Sequence, residues 1–359
     1  MTIKRNIQTT NAVMGTFQEL ERQALPRYFT NLMTGGRIFA TSDDTIDFAK
    51  IYKKKKLAPY VAPYVDGKPI YERKVRVQQF EPSYIKMDDP IVSTQLHRKL
   101  PNEWVEHGKI LTPGQRLAFL RAEIQSDHLD ALTRREEQMI AEAVLTGKVR
   151  VGFDDPDYPE VEVDYERDPG HTIVLTGAAR WSDSSADPMK DINSWRSRIR
   201  RAKFGGSANI LSIGRDVWPY MREKSSIREL MDTDIRLSAD SQLIANLGLY
   251  ESADVEVVAR FPNFTIIINT ETYEDDDGNE QFFMPVDSIA LTAANSQAVM
   301  AYGPVRSMPA VEEFGDTAIP RYSREYTEGG RNPQKGITTE SSPLPILPMP
   351  NKTLAAKVL

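Results

Sequence analysis

The sequence predicts an α+β protein of elongated build, and three observations carry that expectation. Residues 112–147 hold one unbroken helical pattern, alternating strand text follows it, and a charged, proline-punctuated stretch precedes it. With 359 residues and 40% hydrophobic content, the chain can bury a sizeable core, in one multi-lobed domain or in two or three ordinary ones.

Residues 1–45 are mixed in character. Leu32, Met33, Ile38 and Phe39 surround Gly35 and Gly36, which suggests an extended arm ending in a short strand. Residues 46–92 carry Pro59, Pro63, Pro69, Pro82 and Pro90. Within them YERKVRVQQF (71–80) puts Tyr71, Arg73, Val75 and Val77 on one face and Glu72, Lys74, Arg76 and Gln78 on the other. Asp66-Gly67, between VAPYV and KPIYERKVRVQQF, is a hairpin turn signal. So long and charged a hairpin has little core of its own and is expected to lean on something else. The run KIYKKKKL places Lys53, Lys54, Lys55 and Lys56 in the same stretch.

The helix from Pro113 to Thr146 is the strongest element. Thr112 and Gln115 make a capping box, and Pro113 suits the first helical position. Leu117, Leu120, Ile124, Leu132, Met139, Ala143 and Val144 recur at helical spacing, and Gly147 supplies the stop. At about 1.5 Å per residue such a helix spans roughly 50 Å, about three times the average helix length. A compact globule rarely needs such a rod, whereas an elongated subunit can use one as a spine. His128, on this helix, is expected to face a neighbour or solvent.

Strands are expected at KVRVGF (148–153), EVEVDY (160–165) and HTIVL (171–175), separated by turn text. PMKDINSWRSRIRRAKF (188–204) is an amphipathic helix with Ile192, Trp195 and Ile199 on one face and basic residues elsewhere. Residues 208–232 give a strand, a turn and helical turns. DVEVVARF and NFTIIINTETY (254–273) pair as strands, EDDDGNEQFFMP forms the next hairpin tip, and a proline-rich tail carries short strands. There is no internal repeat.

Composition and motifs exclude several function classes. The 51 acidic residues outnumber the 45 basic ones, which argues against wholesale binding to a nucleic-acid backbone but leaves a local basic patch open. Cysteine is absent, so disulfides, thiolate metal sites and cysteine nucleophiles are ruled out. No window approaches the ~20 apolar residues of a membrane span. The basic residues of MTIKRNIQTTNAVMG have no apolar run behind them, so a soluble, cytoplasm-folding protein without a signal peptide is expected. His97, His107, His128 and His171 show no ligand spacing. TGKVR (146–150) lacks the rest of a phosphate loop, and no GxSxG elbow exists. The clusters DDPDYPE (154–160) and EDDDGNE (274–280) lack the spacing of a calcium loop and read as hairpin tips. No cofactor, metal or catalytic residue is expected, and the function left over is assembly.

Five stretches, taken in order, resemble the lambda-type major capsid protein E family of tailed bacteriophages. They are AVLTGKVRVGF, ARWSDSSADPMKDINSW, ANILSIGRDVWPYMRE, FTIIINTETYEDDDGNEQFFMPVDSIAL and TTESSPLPILPMPNKTLAAKVL. The resemblance covers most of the chain and is strongest from about residue 112 onward. It implies the Hong Kong 97-type capsid fold. On that pattern residues 1–45 are an N-terminal arm and 46–95 an extended loop. Residues 96–181 are a peripheral domain with the spine helix 113–146, residues 182–310 mainly an axial domain, and residues 311–359 strands returning to the peripheral domain.

The implied function is a major capsid protein, assembled in the host cytoplasm as hexamers and pentamers into the icosahedral virion capsid. Implied partners are a separate scaffold protein, a portal, a decoration protein and non-specifically held double-stranded DNA. The expected intersubunit contacts are Lys53, Lys54, Lys55, Lys56, Tyr71, Arg73 and Arg76 of the loop. Arg198, Arg200 and Arg201 are candidates to face DNA, against the alternative of a solvated helix face. A nucleic-acid binder using KKKK and RSRIRRAK, and an encapsulin-like compartment shell, are the competing functions.

Overall fold

The computed structural model describes residues 27–52, 74–93, 96, 112–151, 161–228, 254–261, 263–275, 278–293, 296–315, 317–329 and 334–359. Its first elements are α1 (Tyr28–Thr34), β1 (Ile38–Ala40), β2 (Ile46–Tyr52), β3 (Lys74–Phe80) and β4 (Ile85–Ile91). They lead to α2 (Pro113–Thr146), a single helix of 34 residues.

Both ends of α2 follow the sequence signals. The Gln115 N–H donates to Thr112 Oγ1 at 3.4 Å, and the Thr112 N–H donates back to Gln115 Oε1 at 3.0 Å. Gly147 adopts φ 79°, and its N–H closes the last turn on the Ala143 carbonyl. The two halves bury different chemistry. The C-terminal half buries the apolar Leu132, Met139, Ile140, Ala141, Ala143 and Val144 around the polar Thr133, Glu136 and Glu137; the N-terminal half buries Arg116, Arg121, Gln125 and His128, with Leu129 alone apolar among them. Leu117, Leu120 and Ile124 are only half-buried.

The expectation that His128 faces solvent or a neighbour is overturned. It is 3% exposed, with Nδ1 2.8 Å from Thr339 Oγ1 and Nε2 2.9 Å from Asp89 Oδ2. Both ring nitrogens have partners, which is what makes burial tolerable.

After α2 come β5 (Lys148–Val151), β6 (Val161–Asp164), β7 (Thr172–Val174), α3 (Pro188–Arg201), β8 (Ile210–Ile213) and α4 (Val217–Glu223). Then follow β9 (Val255–Phe261), β10 (Phe264–Asn269), β11 (Thr272–Glu274), β12 (Glu280–Phe282), β13 (Ser288–Thr292) and β14 (Val299–Tyr302). The chain closes with α5 (Met308–Phe314), β15 (Arg321–Glu328), β16 (Gln334–Ser341), β17 (Pro343–Ile346) and β18 (Thr353–Lys357).

The largest sheet has six strands in the order β7-β18-β13-β8-β10-β9. β8 and β10 run parallel, with Thr265 opposite Ile210, and β13 joins β8 antiparallel. All four residues of β8 are buried, the pattern of a strand covered on both faces. Helix α3 packs here through Ile192, Trp195 and Ile199, as its periodicity predicts, and Trp195 stacks on Trp181 with ring centroids 5.8 Å apart. β18, from the last residues of the chain, lies inside this sheet between β7 and β13.

A second core joins α1, the C-terminal half of α2, β5, β6, β14 and β17. There β1 pairs parallel with β14. Beside α2 lies the sheet β15-β16-β4, whose outer strands both pair antiparallel with β16.

Two local expectations change. Tyr28–Thr34 is a helix where extended chain was expected, its N-terminus fixed by residues far away in sequence. β3 pairs antiparallel with β2, from Ile46 opposite Phe80 to Tyr52 opposite Lys74. The VAPYV run and the Asp66-Gly67 turn lie outside the described residues.

Candidate assembly junction and surfaces

The long helix carries two adjacent buried carboxylates, Glu136 and Glu137, and together they bind the point where the N-terminal segment meets the core. Glu137 serves α1. The N-cap residue Arg27 makes no side-chain cap, yet a helix N-terminus leaves its first amides unpaired. Glu137 fills that need across 107 residues, accepting the Thr30 N–H at 2.9 Å and the Thr30 hydroxyl at 2.7 Å. Its other oxygen accepts the Phe29 N–H at 2.5 Å. Burial pushes the Glu137 carboxyl above the usual carboxylate range, while the Thr30 and Phe29 bonds and Arg27 act against that shift.

Glu136 gathers cations and a phenol. Arg27 Nη1 donates to it at 2.6 Å, Arg321 Nη2 reaches both oxygens at 2.9 Å, and the Tyr302 hydroxyl donates at 3.0 Å. α1, α2, β14 and β15 therefore meet at one ionic centre. Tyr28, at the start of α1, sits 2.5 Å from Ser212 Oγ of the central sheet. These bonds tie the start of α1 to the long helix and to the central sheet. Sequence reasoning missed this cluster because charged residues on a helix ordinarily signal a solvated face; no local pattern marks Glu136 and Glu137 as buried.

Of the expected loop contacts, Lys53, Lys54, Lys55, Lys56, Tyr71 and Arg73 lie outside the described residues. Arg76 stands in β3, opposite Lys50. The β2–β3 ribbon is rooted in the protein by Ile46, which is buried in the second core, and by Phe80, which packs against that core.

The basic helix α3 sorts its arginines by position. Arg196 lies along the core, donating to the Ala208 and Asn263 carbonyls at 2.8 Å each, with its guanidinium over the Phe264 ring. Arg198, Arg200 and Arg201 are exposed. Arg198 Nη1 donates to the Gly170 carbonyl at 2.6 Å. Arg198 and Arg201 line a common cleft, and Arg200 is not among its lining residues.

Helix α5 shows an apolar face that the sequence reading did not single out. Met308, Val311 and Phe314 are 71%, 40% and 43% exposed, and their three-residue spacing puts them along one side of the helix. That spacing was the available signal. Among the described residues no group of three or more histidine, aspartate or glutamate side chains converges as a metal site, and no helix is long and apolar enough to cross a membrane.

The sequence profile of the family described as phage major capsid protein E matches residues 9–358. The major capsid protein of Enterobacteria phage P21 is 27% identical over 362 residues, covering 98% of each chain. That of Escherichia phage lambda is 25% identical over 308 residues, covering 84% of this chain and 85% of its own. Among solved structures, a protein described as a prophage capsid protein from E. coli CFT073 superimposes with a TM-score of 0.74. It is 22% identical, over 98% of this chain and 99% of that one.

Proposed function

Because the chain belongs to the phage major capsid protein E family, we propose that it assembles as hexamers and pentamers into one icosahedral shell around double-stranded DNA. Its role is that of a tailed-phage major capsid protein, a structural component of the virion capsid and not an enzyme. Its mixed α+β fold is of the Hong Kong 97 capsid type.

The finer organisation follows from that role. Residues 1–45 act as an arm and 46–95 as an extended loop. Residues 96–181 form a peripheral domain on the spine helix, 182–310 mainly an axial domain, and 311–359 return to the peripheral domain. A scaffold protein, a portal and a decoration protein are the partners such a shell would use. Arg198, Arg200 and Arg201 face the packaged DNA.

The observation that supports this reading most directly is the β2–β3 ribbon. It is a two-stranded sheet rooted at its Ile46 and Phe80 end. An isolated two-stranded ribbon is marginally stable in water, so one that leaves its core is expected to rest on another surface. In a shell, that surface is the neighbouring subunit. Lys53 to Lys56, directly beyond β2, then meet acidic groups of that neighbour.

Replacing all four lysines by glutamate tests the contact. The variant subunit keeps its wild-type circular dichroism and thermal midpoint but fails to form or mature shells. Normal shells from the variant would reduce the run to a solvated patch.

A further inference from the structure

The turn of α3 that carries Arg198 and Arg201 faces the 3₁₀ segment Pro169–His171, and between them lies an open cleft of about 560 Å³. Its lining includes Asp168, His171, Ser194, Ser197, Arg198 and Arg201. Residues 194, 197, 198 and 201 follow the i, i+3, i+4, i+7 pattern, so one face of α3 presents two hydroxyls and two guanidinium groups to the cleft. In the floor, His171 is fully buried at 0% exposure. Its Nδ1 is 3.0 Å from the Thr353 carbonyl, which makes Nδ1 the protonated nitrogen. The other nitrogen, Nε2, is buried without a hydrogen-bond partner, an arrangement that native proteins rarely leave without a reason.

From this geometry we propose that the cleft is a binding site for a phosphate-type oxyanion. Arg198 and Arg201 supply the charge and Ser194 and Ser197 donate hydroxyl bonds, while His171 lies buried beneath the bound anion and senses its charge. Burial holds the empty imidazole neutral, the Thr353 carbonyl and Asp168 work against that shift, and Arg167 and Arg198 support it. An anion in the cleft tips this balance toward the imidazolium. Asp168, whose Oδ1 accepts the Gly170 N–H at 2.9 Å, sets one negative charge against the two guanidinium groups and leaves the cleft net positive. Arg198, Arg200 and Arg201 also offset the negative end of α3. That role would be filled at any azimuth, and does not require two of them to share the lining of one cleft with both serines and His171. The site stands on the cleft alone; only a nucleic-acid source for its phosphate rests on the proposed shell function.

The test uses the full chain as unassembled subunit, labelled with [¹⁵N]histidine. Four histidines occur in the chain, so the imidazole signal of His171 can be assigned by its loss in His171→Gln. Inorganic phosphate should shift that signal saturably toward the doubly protonated ring, while chloride at equal ionic strength leaves it in place. The double variant Arg198→Gln, Arg201→Gln changes exposed side chains and keeps the fold; it should weaken phosphate binding at least tenfold. A short DNA duplex that reproduces the shift identifies the nucleic-acid backbone as the source. A response to phosphate but not to duplex upholds the site and refutes the DNA-facing role of Arg198 and Arg201. No phosphate-specific shift, or one unchanged in the double variant, overturns the proposal.

Discussion

Arg321 Nη2 lies 2.9 Å from each carboxylate oxygen of Glu136, and both side chains are shut off from solvent. Such a pair gains little over an apolar replacement, but removing one partner strands a buried charge at about 3–5 kcal/mol. Glu136→Ala is therefore expected to destabilise the subunit by that order in chemical denaturation. Arg321→Met should be less damaging in a Glu136→Gln background than in the wild type. Additive losses would show that the two residues are not coupled.

Glu271 gives the fold a pH dependence with a definite sign. Burial pushes its carboxyl up from the usual 4.5 to about 8, helped by the Glu137 carboxylate and Asp254 and opposed by a bond from Asn269. The folded protein thus holds a proton that the unfolded chain has released. Stability falls as pH rises from about 4.5 toward about 8 and levels off beyond. Glu271→Gln removes this slope: its thermal midpoint should exceed that of the wild type at pH 8, and the advantage should vanish near pH 4. An unchanged difference between the two pH values would contradict the assignment.

The end of the spine helix is held by a second long-range cation. Arg167 donates from Nη1 to the Val144 carbonyl at 2.5 Å and from Nη2 to the Leu145 carbonyl at 2.7 Å. Burial lowers its pKa to about 10, which keeps it charged at neutral pH. Gly147 leaves room for it: a Cβ there would stand 2.8 Å from Arg167 Nε and 2.9 Å from Arg167 Cβ. Since Gly147 also has φ 79°, Gly147→Ala should cost at least the ~1–3 kcal/mol of a strained backbone residue. Arg167→Met should cost more, about 3–6 kcal/mol, through two charge-assisted bonds each worth about 1.5–3 kcal/mol. Thermal midpoints within a degree of the wild type would refute both.

Much of the fold could be read from local sequence. Thr112, Gln115 and Gly147 mark both ends of α2 because caps are local chemistry, and Ile192, Trp195 and Ile199 mark the buried side of α3 because periodicity is too. The missed features depend on distant partners. α1 has no side-chain cap of its own and is completed by Glu137. His128 looked like a surface residue and is buried because β4 and β16 supply Asp89 and Thr339. The ionic centre on Glu136 joins residues 27, 136, 302 and 321, which no spacing rule connects. Of the expected site residues, Arg76 stands in β3 opposite Lys50, and Arg198 and Arg201 line the α3 cleft.

Assembly itself can be observed directly. The protein, expressed with a scaffold protein of the kind proposed for it, should yield closed shells in negative-stain electron microscopy, built from hexamers with pentamers at the vertices. Preparations that contain only monomers under these conditions, with neither shells nor tubes, would contradict the assignment of this chain as the shell-forming subunit.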